Sequence, residues 1–198
     1  MNDQALIKKV LFLAIAMSFS ACLQVFYQIF IYWRFSFFTE PWRWWTAHWV
    51  HVGWTHYFLN MLAFACLPFI FPRVKSRHLI GLLLIIPLFI SFCFYYFYPN
   101  VEAYAGLSGV LHGLYVACAI YYLQFKSERK FSIIVLGLVL IKIVWENTFG
   151  SLQTAELIGS PVLVEAHFLG AIGGLIIAII YFAVRYLKTV SAKKTSSS

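Results

Sequence analysis

Six long apolar runs alternate with short polar segments along this 198-residue chain. They cover residues about 10–33, 55–71, 79–98, 107–124, 131–148 and 163–187, and charge, proline or a polar cluster bounds each one. A helix needs roughly 20 predominantly apolar residues to cross a bilayer. Only 11% of the residues are charged, against about a quarter in soluble domains. We therefore predict an all-α membrane protein of six transmembrane helices, with no room for a separate soluble domain.

Lysine and arginine are distributed unevenly among the segments that connect these runs. If the amino terminus is cytoplasmic, twelve of the 15 basic residues fall on the cytoplasmic side: Lys8, Lys9, Arg73, Lys75, Arg77, Lys126, Arg129, Lys130, Arg185, Lys188, Lys193 and Lys194. Because positive charge is retained in cytoplasmic loops, both termini and the polar tail over residues 188–198 are predicted to be cytoplasmic. The basic residues form no single stripe, so the net charge of +8 does not indicate nucleic-acid binding.

The first run has an alternative interpretation as a cleaved lipoprotein signal. Lys8 and Lys9 precede it, and Ala21-Cys22 loosely resembles a cleavage site. Its apolar character continues through Ile31, which is long for a cleaved segment and favours a membrane span.

The segment between the first two runs contains six of the seven tryptophans. They are Trp33, Trp42, Trp44, Trp45, Trp49 and Trp54. Tryptophan collects at the headgroup level of a bilayer, so we expect this loop to lie in the outer interface as short amphipathic helices. A simple aromatic belt is the alternative interpretation.

Four polar residues inside the spans are functional candidates, because polar groups are costly in hydrocarbon unless paired or wetted. His56 and Asn60 begin the second helix, Ser108 begins the fourth, and His167 lies in the first turns of the sixth. With the orientation above, these three helices all begin on the outer side. The four residues are therefore predicted to lie near one level of one leaflet.

Ser108 and His167 have the chemistry of a nucleophile and its base. Glycine pairs spaced for close helix packing lie on the same two helices: Gly109 with Gly113, and Gly170 with Gly174. Packing through these glycines would bring the serine and the histidine together. His56, Asn60 and the backbone N–H of Ser108 then supply donors for an oxyanion.

A serine–histidine dyad is the most that this reasoning predicts, since the only aspartate in the chain is Asp3. Two alternatives stay open. The four residues also fit the role of interhelical hydrogen-bond partners. Ser108 alone also fits the role of a helix N-cap or turn residue.

Other chemistries have less support in the sequence. It contains no HExxH motif for a zinc protease and no pair of intramembrane aspartates. His48, His51 and His56 are possible metal ligands, but no carboxylate or cysteine is suitably placed beside them. The four cysteines form no CxxC pair. We predict no metal and no cofactor.

With these motifs in place, the chain resembles the rhomboid family of intramembrane serine proteases. The resemblance covers all six runs and rests on His56-x-x-x-Asn60, on Gly106-Leu107-Ser108-Gly109 and on the segment from Ala166-His167 to Gly174. It implies a single rhomboid-like membrane domain. It also implies that Ser108 is the nucleophile and His167 the base, while His56 and Asn60 stabilise the oxyanion.

Two stretches are most similar to the rhombosortase branch of compact bacterial rhomboids. They are the serine segment over residues 106–113 and the stretch over residues 142–167. This resemblance implies substrates that are exported proteins, held in the bacterial inner membrane by a carboxyl-terminal anchor with a Gly-Gly motif, an apolar span and a basic end. The active site would then open to the periplasm.

Three further polar positions have open roles. His112 lies four residues after Ser108 on the same helix face, where it either contacts His167 or only packs. Lys142 and Glu146 have the spacing of an ion pair within one helix. Glu165 is expected at the membrane interface, with contact to substrate as the alternative.

Two other functions remain as alternatives. One is a catalytically inactive rhomboid-like protein that binds membrane segments without cutting them, although the presence of both Ser108 and His167 favours an enzyme. The other is a small transporter, which needs a polar path continuing toward the cytoplasm, whereas the inner halves of these runs are apolar.

Overall fold

The computed structural model describes residues 3–150 and 154–195, and over these residues the chain forms a bundle of helices. Nine α-helices occur in the described residues: α1 (Asp3–Val25), α2 (Tyr27–Phe30), α3 (Arg43–Thr46), α4 (Trp54–Ile70), α5 (Ser76–Phe97), α6 (Ser108–Tyr122), α7 (Arg129–Phe149), α8 (Thr154–Ile158) and α9 (Val164–Thr195). Single 3-10 turns occur at Arg34–Ser36 and Lys126–Glu128. Two short strands, β1 (Tyr32–Trp33) and β2 (Ala103–Tyr104), pair antiparallel.

Four of the described helices are long and apolar enough to cross a membrane, by length and composition. They are α1, α5, α7 with its preceding turn (Lys126–Phe149) and most of α9 (Val164–Ala192). The chain is therefore a multi-pass membrane protein. Helix α4 is apolar but has 17 residues, and α6 has 15. The count of six membrane spans and the interfacial position of the loop between α1 and α4 stay predictions.

The first helix differs from its predicted range of about 10–33, because it covers Asp3–Val25. Just beyond α1, the backbone accepts hydrogen bonds from the loop between α1 and α4. Arg43 Nη1 donates to the carbonyl oxygens of Gln28 and Ile31, at 3.0 and 2.8 Å. The apolar pattern continues through this region, so local composition does not mark the end of α1. The helix breaks at Phe26 and resumes in α2 (Tyr27–Phe30), and the acceptors of Arg43 lie in α2 and directly after it.

The last helix is longer than predicted. It continues to Thr195, whereas its apolar run ends at about 187. Most of the predicted polar tail over residues 188–198 is thus helical, and residues 196–198 lie outside the described residues.

Helix α6 lies in the centre of the bundle and packs against α9 along a seam of small residues. A Cβ atom added at Gly109 would lie 2.7 Å from the carbonyl oxygen of Ala166, and one added at Gly113 would lie 2.5 Å from that of Gly170. Only hydrogen fits at these positions, so the two backbones are in direct contact. The predicted glycine-mediated packing of these two helices is confirmed.

Two prolines, one inside α5 and one just after α4, leave carbonyl oxygens that other elements satisfy. Pro87 has no N–H to donate to the carbonyl of Leu83, and Trp45 Nε1, from the loop between α1 and α4, donates to that oxygen at 2.8 Å. Pro72 likewise cannot donate to the carbonyl of Pro68, and Lys9 Nζ of α1 donates there at 2.8 Å. The prolines therefore fix where the loop and α1 attach to the bundle.

Candidate active site

Ser108 and His167 are brought together by the contact of α6 with α9. Ser108 Oγ lies 2.9 Å from His167 Nε2, although the two residues are 59 positions apart. Ser108 is the first residue of α6, the N-cap position belongs to Leu107, and no side chain caps this helix. The serine hydroxyl thus forms a hydrogen bond with an imidazole from another helix, and the N-cap interpretation of Ser108 is not supported.

The far side of the His167 ring bonds to Glu146 of α7. His167 Nδ1 lies 2.7 Å from Glu146 Oε2, and Glu146 is only 2% exposed. The other carboxylate oxygen accepts a hydrogen bond from Lys142 Nζ, one turn earlier on α7. The predicted Lys142–Glu146 ion pair is therefore present.

Glu146 corrects the view that a serine–histidine pair is the most this chain can form. The sequence reasoning sought an aspartate beside the histidine and found only Asp3. A glutamate on a third helix occupies that place. The signal that could have revealed it is a carboxylate inside an apolar run, because a helix carries such a group only where it has a partner.

The hydrogen-bond partners fix the direction of each bond. An ionised carboxylate only accepts, so the His167 Nδ1–H donates to Glu146 Oε2. In the neutral ring, Nε2 then carries a lone pair and accepts from the Ser108 hydroxyl. This is the tautomer that a general base needs in order to take a proton from serine.

His112 stacks on His167. Their ring centroids are 4.2 Å apart and the planes are inclined by 19°. His112 Nδ1 lies 2.7 Å from the backbone oxygen of Ser108, and since a carbonyl accepts, the nitrogen donates. Of the two roles left open for His112, contact with His167 is the one that the structure shows, and this contact fixes the plane of the His167 ring.

The segment before Ser108 is held by hydrogen bonds from both sides. Gly106 has φ +146°, a conformation that is essentially restricted to glycine. Its N–H donates to the carbonyl of Ala47 at 3.0 Å, and its carbonyl accepts from the Tyr104 hydroxyl at 2.6 Å. Burial raises the pKa of Tyr104 to about 12, so this hydroxyl stays a neutral donor.

His51 connects this segment to α1. The backbone N–H of Leu107 points to His51 Nε2 at 3.4 Å. The backbone of His51 exchanges two bonds with the Gln24 side chain, at 2.7 and 2.8 Å. Burial lowers the pKa of His51 to about 3, so the ring is neutral and Nε2 can accept. The sequence suggested His51 only as a possible metal ligand, whereas its observed contact is with the backbone next to Ser108.

His56 and Asn60 face the same space as Ser108. A cavity of about 280 Å³ has these residues among its lining: His56, Asn60, Ser108, His112, Lys142, Glu146 and His167. Asn60 Nδ2 donates to the carbonyl of His56 at 3.0 Å, and a carboxamide carries a second N–H. The structure thus places the four predicted polar residues around one cavity.

A second cavity reaches Ser108 from the side of the loops. It measures about 330 Å³, and its lining includes Ser108 and His56 together with Tyr104, Ser160 and Pro161. Ser108 and His56 therefore line both cavities.

One cluster in the described part of the chain has the chemistry of a metal site. His112, Glu146 and His167 each offer a ligand atom, and these atoms lie within 4.8 Å of one another. Both oxygens of Glu146 are already bonded, to Lys142 and to His167. The lysine ammonium also repels a second cation at this position. The arrangement fits a chain of hydrogen bonds better than a metal centre.

Comparisons with known proteins identify the family to which the chain belongs. A family model described as "Rhomboid domain" matches residues 39–184, which is well over half of the chain and includes all the site residues named above that lie beyond α1. No curated protein gives a significant match. The members of this family are generally intramembrane serine proteases. The chain belongs to the rhomboid family.

Proposed function

We propose that this protein is an intramembrane serine endopeptidase in which Ser108 is the nucleophile and His167 the general base. The observation that carries the proposal is the 2.9 Å distance between Ser108 Oγ and His167 Nε2, at the wall of a cavity in a membrane protein. A hydroxyl and an imidazole at this distance have the geometry that proton transfer during acyl transfer requires.

The proposed reaction has two halves. In the first, Ser108 Oγ attacks the carbonyl carbon of the scissile bond while its proton passes to His167 Nε2. The C–N bond then breaks, and His167 gives that proton to the leaving amine. In the second half a water molecule attacks the acyl-enzyme and gives a proton to Nε2. The ester bond to Oγ breaks, and the proton returns to Oγ.

His56, Asn60 and the backbone N–H of Ser108 are the proposed donors to the oxyanion. His56 and Asn60 line the cavity at Ser108, and Ser108 is the first residue of its helix, where backbone N–H groups have no intrahelical acceptor. Removal of one oxyanion donor raises the barrier by about 2.7–4 kcal/mol in a hydrolase where it has been measured.

The proposed substrates are exported proteins with a carboxyl-terminal anchor composed of a Gly-Gly motif, an apolar span and a basic end. The similarity of residues 106–113 and 142–167 to rhombosortases supports this class. A membrane helix must unwind before its backbone can enter the cavity, and each glycine lowers helix stability by about 1 kcal/mol. We place the enzyme in the bacterial inner membrane, with cytoplasmic termini and the cavity open to the periplasm.

The test is the mass of the carboxyl terminus of a Gly-Gly-anchored protein, produced in cells with the wild-type chain, with Ser108→Ala or with His167→Ala. We expect a shortened product with the wild type and the intact anchor with both variants. Asn147→Ala provides a control on α7, because the Asn147 side chain donates a hydrogen bond to the carbonyl of Ile143 within the same helix. Equal processing by wild type and Ser108→Ala would reject the mechanism.

The alternative, an inactive rhomboid-like protein that binds membrane segments, makes a different prediction in the same experiment. The substrate would then co-purify with the wild-type chain and keep its anchor in every sample. The 2.9 Å contact between Ser108 and His167 favours the enzyme, because binding alone does not need a base beside the serine.

A further inference from the structure

Glu146 is a buried carboxylate whose two oxygens serve two different partners. Oε2 accepts from His167 Nδ1 at 2.7 Å, while Oε1 accepts from Lys142 Nζ. The Glu146 side chain is 1% exposed and that of Lys142 is 36% exposed. The four polar groups thus form one continuous chain from Lys142 at the cavity edge, through Glu146 and His167, to Ser108.

We propose that Glu146 is a positioning residue that holds His167 in the tautomer and orientation of a general base, with Lys142 fixing which carboxylate oxygen faces the ring. This inference rests on the proposed serine protease function and extends it from two residues to a chain of four. Glu146 acts through His167 and has no contact with the reacting serine itself.

Three contacts leave the His167 ring little freedom. Glu146 bonds to Nδ1, Ser108 bonds to Nε2, and His112 covers one face of the ring at 4.2 Å between centroids. When His167 takes a proton from serine it becomes a cation, and an ionised carboxylate beside Nδ1 stabilises that cation. Because Glu146 is almost completely buried, water screens this interaction little.

A purely structural role for Glu146 is the competing explanation, since its bond to His167 also joins α7 to α9. That role predicts lower stability with normal turnover in each folded molecule. The positioning role predicts the reverse: a lower kcat, an almost unchanged KM and a folded protein.

Glu146→Gln separates these explanations through the Lys142 ammonium. A lysine can only donate, so it will turn the carbonyl of the new amide toward itself and the NH2 group toward His167 Nδ1. The imidazole must then accept at Nδ1 and carry its hydrogen on Nε2, where it can no longer take a proton from Ser108. Where a buried triad aspartate was changed to an amide, kcat fell about 10⁴-fold.

The experiment is steady-state cleavage of a Gly-Gly-anchored substrate by purified full-length protein in detergent. For Glu146→Gln we expect kcat to fall at least about hundredfold with KM within about twofold of wild type. Glu146→Asp keeps the charge and should retain more activity than Glu146→Gln. Glu128→Gln is the matched control: it removes a carboxylate paired with a basic residue near the start of the same helix, and should leave kcat unchanged.

A double variant provides the sharpest outcome. Adding Lys142→Met to Glu146→Gln frees the amide to rotate its oxygen toward His167 Nδ1, so part of kcat should return. A merely structural role predicts that the second change adds to the damage. The inference is overturned if kcat of Glu146→Gln stays within about twofold of wild type, or if the loss follows the unfolded fraction on size-exclusion chromatography.

The same measurements distinguish this inference from the proposed function. If Ser108→Ala cleaves as well as wild type, the serine mechanism itself fails. If Ser108→Ala is inactive while Glu146→Gln is fully active, the serine mechanism stands and only the role of Glu146 is rejected.

Discussion

The conformation of Gly106 sets the direction of the backbone that leads to Ser108. Its φ of +146° belongs to a region that other residues occupy only at a cost of about 1–3 kcal/mol. A Cβ atom there would also lie 2.8 Å from His56 Cε1. The residue two positions before the serine is therefore restricted both by its own backbone and by a proposed oxyanion donor.

We expect Gly106→Ala to lower substrate cleavage strongly, because relief of the backbone strain moves Ser108 and the new methyl group displaces His56. Gly53→Ala is the matched control, since its φ of −172° is extended and nothing lies within 4 Å of an added Cβ. Cleavage rates of the two purified variants provide the measurement. Wild-type activity in Gly106→Ala would contradict this role of the glycine.

The sequence singled out Ser108, His167, His56 and Asn60, and the structure places these four residues around one cavity. These residues could be recognised as candidates because they are polar and lie inside apolar runs. Glu146 was assigned only to an ion pair with Lys142, because spacing within one helix shows the partner on that helix and not the one on α9. A carboxylate has two oxygens, and the second partner depends on tertiary structure.

At the scale of helices, the distance between Ser108 and His167 depends on how closely α6 approaches α9. A Cβ atom at Gly170 would overlap the carbonyl oxygen of Gly109. Backbone atoms cannot rotate away as side chains can, so the helices themselves must separate. Overpacking of this kind costs typically about 1–3 kcal/mol.

Gly170→Ala should therefore lower both the thermal stability and the cleavage rate. The control is Gly137→Ala on α7, where an added Cβ meets nothing within 4 Å. Because alanine is the better helix former, we expect this variant to be at least as stable as wild type and to cleave at the wild-type rate. Thermal unfolding and cleavage, measured on the same preparations, test the pair. Equal stability of both variants would show that the close approach of α6 to α9 is not required.

Lys9 attaches α1 to the end of α4. Its ammonium donates to the carbonyl oxygens of Pro68 at 2.8 Å and Pro72 at 3.2 Å. Lys9→Met keeps an unbranched side chain of nearly the same length but leaves a buried carbonyl without its donor, at a cost of about 1–3 kcal/mol. Lys8→Met is the control, because Lys8 is exposed. We expect the melting temperature to fall only in Lys9→Met.

The apolar runs of the sequence locate the helices, but not where each one ends. The break after Val25 has no glycine or proline to mark it, and the carbonyl groups of the short helix that follows bond to Arg43, which comes from a later segment of the chain. By contrast, Gly109-x-x-x-Gly113 and Gly170-x-x-x-Gly174 identified the contact of α6 with α9 from local spacing alone. Patterns within a helix are visible in sequence, and partners from distant segments are not.

For the molecule as a whole, two buried neutral histidines in the loop before α4 make stability depend on pH. Burial lowers the pKa of His48 and of His51 to about 3 in the folded protein, whereas an unfolded chain has about 6.5. As the pH falls below about 6.5 the unfolded chain binds protons first, so stability is full above that value and decreases toward pH 3.

Each of these histidines should contribute a slope of up to about 1.4 kcal/mol per pH unit. His48 Nε2 bonds to Ser91 Oγ at 3.0 Å, and Ser91 donates to the carbonyl of Trp44, so the imidazole donates to Ser91. His48→Gln keeps an N–H donor and removes the titration. Unfolding in detergent between about pH 7 and pH 5 should show a smaller slope for this variant. An identical slope would contradict the assignment.

Activation of Ser108 by His167 can be measured as the rate at which a serine-directed fluorophosphonate labels the purified protein. Mass spectrometry then maps the modified residue. We predict that Ser108 is the labelled residue, that labelling is lost in Ser108→Ala, and that it is strongly slowed in His167→Ala. Labelling of another residue, or an unchanged rate at Ser108 in His167→Ala, would contradict the account.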